Sequence, residues 1–323
     1  DTDPGATRPR TTGPGTTAPG TGDRGAGCAP APEPDAAAGW FGAEHANLLA
    51  AQQVAHGHGW DVQVRDLAWA LDPYHRHRGH LEEAAAAWRL AVDAAGRLPG
   101  PAARAQAHQM LGDACAQLGR TDDALRHLGR ALELAEPAGD AACRGEIHHS
   151  LGGAWERHGD DRRALEHARQ ALLAFEGLDD TYRQARALNG VGWLESRLGR
   201  HVEARAHCEA ALALMRGHPA DRRRFGEANI LDSLGYVAHR LHDHGLALDC
   251  YLRALAICRA HGHAHLEADV LDHLAWTHLA RRHPAQARAA WRLAHALFTA
   301  QHRLAAAELV RQQLDGLARP RTG

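Results

Sequence analysis

Three kinds of side chain recur at fixed spacing in this chain, and their chemistry is that of recognition. The first is a column of polar residues, Gln109, His149, Asn189, Asp232 and Asp272. Four residues after each stand Asp113, Gly153, Trp193, Tyr236 and Trp276, and four further on Gln117, Arg157, Arg197, Arg240 and Ala280. A spacing of i, i+4, i+8 puts all three columns on one face of a helix. Amides and carboxylates so placed hold a peptide backbone, rings stack on or bury apolar side chains, and guanidiniums pair with carboxylates. Truncating a Trp or Arg of this kind at an interface often costs about 2 kcal/mol or more of binding. The other reading of Trp193, Tyr236 and Trp276 is that they fill space between neighbouring helices, with only their polar tips at the rim.

Catalytic patterns are missing. A phosphate-binding loop of the form G-x-x-x-x-G-K-[ST] needs a lysine to neutralise the phosphate, and all 37 basic residues here are arginine. Neither H-E-x-x-H nor G-x-S-x-G occurs. His242 and His244, and His261, His263 and His265, alternate too closely to match the usual H-x(3–5)-H zinc pair, and they read as solvated turn residues. The 26 histidines accompany a lack of lysine and a scarcity of isoleucine and asparagine, which points to a GC-rich coding bias. A non-enzymatic protein with no cofactor and no metal is expected.

The elements that position the columns are repeats. Asp72, Gly112, Gly152, Gly192, Gly235 and Ala275 align at spacings of 40, 40, 40, 43 and 40 residues. Twelve residues on lie Ala84, Ala124, Ala164, Ala204, Ala247 and Ala287, and seven beyond those Ala91, Ala131, Ala171, Ala211, Ala254 and Ala294. Small side chains mark where two helices approach closely. Between the alanine columns runs a bulkier and more variable one, Trp88, Leu128, Ala168, Cys208, Tyr251 and Trp291, which plugs the space beside the neighbouring repeat.

These columns resemble the tetratricopeptide repeat, W-x-x-L-G-x-x-Y followed by A-x-x-x-F. One unit here reads HQMLGDAC and then ALRHLGRA, with the family tryptophan replaced by His108, His148, Leu188, Leu231 or Leu271. The resemblance implies an all-α, right-handed superhelix, an α-solenoid of about six helix pairs, whose concave face carries the three polar columns. The periodicity predicts an array over 35–317 with pairs at 60–97, 101–136, 140–176, 179–216, 220–261 and 264–301. Capping helices are expected over 37–57 and 303–317, and Pro73 is expected to kink the first pair. The Gly, Thr and Pro-rich segment 1–34 and the tail 318–323 read as disordered.

The segment WFGAEHANLLAA, with Trp40, Glu44, Ala46, Asn47 and Leu48, followed by 40-residue repeats, is similar to the C-terminal region of actinobacterial antibiotic-regulatory (SARP) proteins of the AfsR type. The similarity covers about 280 residues. It implies that a DNA-binding domain and an NB-ARC nucleotide-binding switch precede the array in the same polypeptide, and that the array is a sensor or interaction module in transcription regulation. The alternative is a scaffold that self-associates or holds the switch closed.

Charge and cysteine usage agree with a soluble interaction module. A formal net charge of −2 gives no electrostatic basis for holding a nucleic-acid backbone or an acidic membrane. Cys28, Cys115, Cys143, Cys208, Cys250 and Cys258 lie far apart with no C-x-x-C pair, as reduced core thiols do. No apolar run approaches the roughly 18 residues of a membrane span, so a cytoplasmic location is expected. The chain opens on Asp1, which suggests a stretch of a longer polypeptide.

Overall fold

The computed structural model describes residues 34–216 and 220–318. Nearly all of the expected linker and tail, together with Cys28, lie outside those residues. Two compact units are distinguished, 1–43 and 44–323. The described part of the first is the start of helix α1 (Pro34–Gly57), where the rings of Trp40 and Phe41 meet edge-on at 5.2 Å.

The second unit is a right-handed solenoid of stacked helix pairs with terminal helices. The pairs are α2 (Asp61–Arg78) with α3 (Leu81–Arg97), α4 (Ala102–Gln117) with α5 (Thr121–Ala135), and α6 (Ala141–His158) with α7 (Asp161–Glu176). Then come α8 (Thr181–Arg197) with α9 (His201–Met215), α10 (Ala220–Arg240) with α11 (His244–His261), and α12 (Ala264–Ala280) with α13 (Pro284–Ala300). Helix α14 (Leu304–Ala318) packs on α13. Helix α2 continues through Pro73 to Arg78, so the proline does not end it.

One turn geometry joins the two helices of every pair. Gly79, Gly119, Gly159, Gly199, His242 and Arg282 all have positive φ, between 63° and 87°. The residue after each donates its backbone N–H to a carbonyl five positions back, as in Asp160 to Trp155 at 3.0 Å and Arg200 to Glu195 at 2.8 Å. Glycine reaches this left-handed conformation freely, whereas a side chain at His242 or Arg282 costs about 1–2 kcal/mol. Asp140, Asp160, Asp180 and Asp243 start their helices by accepting the backbone N–H three residues ahead.

Within each pair the helices cross over small residues. All twelve alanines of the two columns are at most 2% exposed. At three of the four glycines of the column the backbone and plug leave no room for a side chain. A Cβ on Gly112 would lie 2.6 Å from Leu128 Cγ, one on Gly192 2.6 Å from Cys208 Sγ, and one on Gly235 2.6 Å from Tyr251 Cε1. At Gly152 the facing plug is Ala168, and the nearest atom is the Ala164 carbonyl oxygen at 3.4 Å. The first repeat has Asp72 in this column, and its carboxylate accepts the buried Trp88 indole N–H at 2.9 Å.

Second helices pack against the next first helix, and α4, α6, α8, α10 and α12 also touch one another in series. Comparable contact between successive second helices is not found among the described residues. Crowding on one side and splaying on the other bends the stack, with the first helices on the concave side.

Gly235→Ala is expected to cost about 1–3 kcal/mol by forcing Tyr251 from its place. Gly152→Ala has ordinary contact distances and a helix-propensity gain of up to about 1 kcal/mol, so it should hold or raise the melting temperature. Thermal unfolding of the two variants checks this, and equal shifts would contradict the packing account.

Candidate functional site

The concave side holds two neighbouring cavities. The larger, about 1000 Å³, is bounded by α2, α4, α6 and α8, and Gln109, His149 and Arg157 line it together with Asp113, Gly153 and Gln117. The smaller, about 320 Å³, is bounded by α6, α8, α10 and α12, and Asn189, Trp193 and Asp232 line it. The two meet on α6, where Arg157 faces the first and Glu156 the second, and on α8 between Arg186 and Asn189.

Other members of the three columns are engaged within the fold. The Arg197 guanidinium donates to both carboxylate oxygens of Asp161 at 3.0 Å and lies 3.7 Å from Glu156. Asp272 turns toward its own second helix, where it accepts the Trp291 indole N–H at 2.7 Å. An indole buried at this crossing needs an acceptor, because an unpaired N–H in a low-dielectric interior is costly. Trp276 is 40% exposed, lies edge-on to Trp291 at 5.1 Å, and lines neither cavity. Arg240 is exposed at the end of α10 and lines neither cavity.

Trp193 lines the smaller cavity, whereas Tyr236 lines neither and fills space beside it. Their ring centroids are 5.0 Å apart, Tyr236 lies 5.4 Å from His273, and the Trp193 indole N–H donates to Glu156 at 2.6 Å. The His273 Nδ1 bonds to Asp232 Oδ1 at 2.9 Å. Burial works against a charge on this imidazole, but the Asp232 carboxylate and its hydrogen bond, with Asp272 and Asp269 behind them, push its pKa up to about 9. It is therefore an imidazolium among aromatic rings. His149 is the opposite case, held down to about 3 by burial, with Arg186 adding to the effect. Burial also raises the Asp113 carboxyl to about 6, against a hydrogen bond with Ser150 and the nearby Arg76.

A further column lines both cavities and was not singled out in the sequence: Gln106, Glu146, Arg186, Asn229 and Asp269. Each lies three residues before the polar column, one turn away on the same face, which is the signal that identifies it. His273 carries no comparable signal, because it is recruited by Asp232 from the neighbouring first helix.

Among the described residues, no group of three or more His, Cys, Asp or Glu is arranged to hold a metal ion. The His242 and His244 rings are 5.9 Å apart, and those of His261 and His263 6.2 Å, at the turns before α11 and α12. The described cysteines are free thiols, and burial pushes Cys208 up to about 12 and Cys250 and Cys258 to about 11, far from nucleophilic thiolates. No described helix is long and apolar enough to cross a membrane.

The sequence profile of the tetratricopeptide repeat matches residues 105–138, which take in most of α4 and all of α5. A solved Rap protein complexed with Competence and Sporulation Factor is 14% identical, with a TM-score of 0.59, over 79% of this chain and 75% of that one. The apo form of RapI is 14% identical, with a TM-score of 0.54, over 78% of this chain and 97% of that one. A signal transduction ATPase with numerous domains and a tetratricopeptide repeat sensor, from Pyrococcus horikoshii, is 15% identical with a TM-score of 0.57, over 79% of this chain and 45% of that one. At such identities the likeness shows the fold: a tetratricopeptide-repeat solenoid. No curated protein sequence matches the chain.

Two outcomes are expected from this geometry. Arg197→Ala should lower stability by about 1 kcal/mol or less, as for a partly exposed ion pair, and leave partner binding unchanged; calorimetry and binding assays separate the two effects. The His149 pKa is depressed, so the unfolded chain takes up protons first and His149 stabilises the fold above pH 6.5, an effect lost as pH falls toward 3. The His273 pKa is raised, so its contribution is present below pH 6.5 and lost as pH rises through about 9. Asp113, raised to about 6, opposes the acid-side change as pH falls from 6 toward 3.8. Melting curves against pH should therefore lose their alkaline slope in His273→Gln and have a shallower acid slope in His149→Gln. Unchanged slopes would refute the assignments.

Proposed function

We propose that this array is a non-catalytic module that binds a protein or peptide in its concave groove. It acts as the C-terminal sensor or regulatory domain of a multidomain transcriptional regulator. The observation that carries the groove reading is that first helices from successive repeats line two adjoining cavities with amides, guanidiniums, carboxylates and the indoles of Trp69 and Trp193. A chain of hydrogen-bonding groups beside a partly exposed ring suits an extended polypeptide, whose backbone needs partners and whose side chains need pockets. The likeness to a Rap protein complexed with a signalling factor, and to an ATPase whose repeats are named a sensor, supports the same reading.

The regulatory role rests on the sequence similarity to AfsR-type proteins. In this proposal the DNA-binding and NB-ARC domains lie upstream in the same cytoplasmic polypeptide, and occupancy of the groove shifts the nucleotide switch. Neither DNA nor membrane is a direct ligand of the array.

The test compares capture of partners from native cytoplasm by the wild-type chain, by Gln109→Ala/Asn189→Ala/Trp193→Ala, and by Leu173→Ala/Leu252→Ala/Leu293→Ala on exposed second-helix positions. Loss of Trp193 alone should weaken the groove partner by about 2 kcal/mol, or about thirtyfold. A partner retained by the groove variant and lost by the second-helix variant would favour the scaffold, which uses the outer face.

A further inference from the structure

The groove's charge is at odds with that of the whole chain. The formal net charge of the protein is −2, yet the larger cavity brings five guanidiniums, Arg65, Arg76, Arg157, Arg183 and Arg186, against three carboxylates, Asp113, Asp140 and Glu146. Their pairing is uneven. Arg65 pairs with Asp66 at 2.7 Å, and Arg183 with Glu146 at 2.9 Å and Asp180 at 3.5 Å, whereas Arg186 has only a share of Glu146, at 3.5 Å. Arg76 sits between Asp72 at 2.6 Å and Asp113 at 4.0 Å. Arg157 makes its one described hydrogen bond to the carbonyl of Gly153 in its own helix, at 3.2 Å.

We propose that the occupant of this part of the groove is an acidic, extended peptide segment whose carboxylates meet Arg157 and Arg186. The inference rests on the groove-binding reading above and assigns the partner's chemistry. A guanidinium fork matches a carboxylate bidentately, and one that shares its only carboxylate with a second guanidinium has donors to offer. Gln106, Gln109 and Gln117 supply amides that a peptide backbone uses, and the neutral His149 adds no charge of its own. The lining crosses three successive first-helix steps, about 24–30 Å at the usual 8–10 Å between packed helices. That length accommodates roughly eight residues of extended chain.

Asp66, Asp72 and Asp180 compensate Arg65, Arg76 and Arg183 from beside the lining, so the imbalance is local: a basic partner would meet like charge at Arg157 and Arg186, and a neutral one would bring them no carboxylate. Because these arginines are partly exposed, the preference is expected to weaken as salt screens it.

The experiment measures fluorescence anisotropy of three labelled peptides of about ten residues, built from Gly-Glu, Gly-Gln and Gly-Lys repeats, against the whole chain at low and moderate salt. The Gly-Glu peptide should bind at least about tenfold more tightly than Gly-Gln, with Gly-Lys weakest and the preference falling with salt. Arg157→Glu/Arg186→Glu should remove that preference, whereas Arg130→Glu on α5, outside the cavity lining, should keep it. Circular dichroism melting confirms that each variant is folded. Because Arg186 has a carboxylate partner, Arg157→Gln provides a milder second variant, expected to reduce the preference severalfold. Binding of Gly-Gln or Gly-Lys as tightly as Gly-Glu overturns the acidic assignment and leaves the groove reading in place. Binding of none of the three also overturns the assignment, and the capture experiment then decides the groove reading by itself. A preference that survives Arg157→Glu/Arg186→Glu overturns it too.

Discussion

The distance between the two helices of a pair governs everything built on them. Side chains larger than methyl at Ala124 and Ala131, or at their equivalents in the other repeats, would push the helices apart and tilt the next pair. Because each pair supports its neighbour, an error at one crossing would carry along the stack. The glycine column and its plug form a compensating set. Where the plug is Leu128, Cys208 or Tyr251, the opposite residue has no Cβ; where it is Ala168, the glycine has space to spare. Where the plug is Trp88 or Trp291, a carboxylate from Asp72 or Asp272 satisfies the indole. Volume and hydrogen bonding are thus balanced repeat by repeat.

The same crossing sets the concave face. Close pairing brings the first helices of successive repeats together, so polar columns from four or five helices converge on adjoining cavities. Convergence also creates competition. Charged groups brought near one another find partners inside the protein, as Arg197 does in Asp161 and His273 in Asp232. Groups left incompletely paired are the ones available to a ligand, and among those lining the larger cavity they are Arg157 and Arg186.

Histidine illustrates how strongly the local setting matters in a chain with 26 of them. His108 and His127 face each other through their Nδ1 atoms at 3.0 Å, and His148 and His167 repeat that contact one unit later. Burial holds His108 and His148 down to about 4, so each pair shares one ring proton as two neutral imidazoles. His273, also buried, is charged because a carboxylate stands beside it. The histidine count reflects composition; the protonation states reflect neighbours.

The sequence by itself determined the solenoid, the six pairs and the crossing geometry, because those depend on residue size at a fixed period, which a linear text records directly. Six alanines out of six in each of two columns, and glycines opposite bulky plugs, carry that information without any knowledge of long-range contacts. It also determined which face of each first helix is polar. Only the tertiary structure decided how those polar groups are used. Arg157 and Arg197 occupy the same column, yet one donates to its own helix while the other is clasped by Asp161 from the second helix of the previous repeat. Asn189, Asp232 and Asp272 share a column as well, but Asp272 is claimed by Trp291 and Asp232 by a histidine 41 residues away. The reason is physical: packing is additive along a repeat, whereas a charge chooses among every partner that folding brings within a few ångströms.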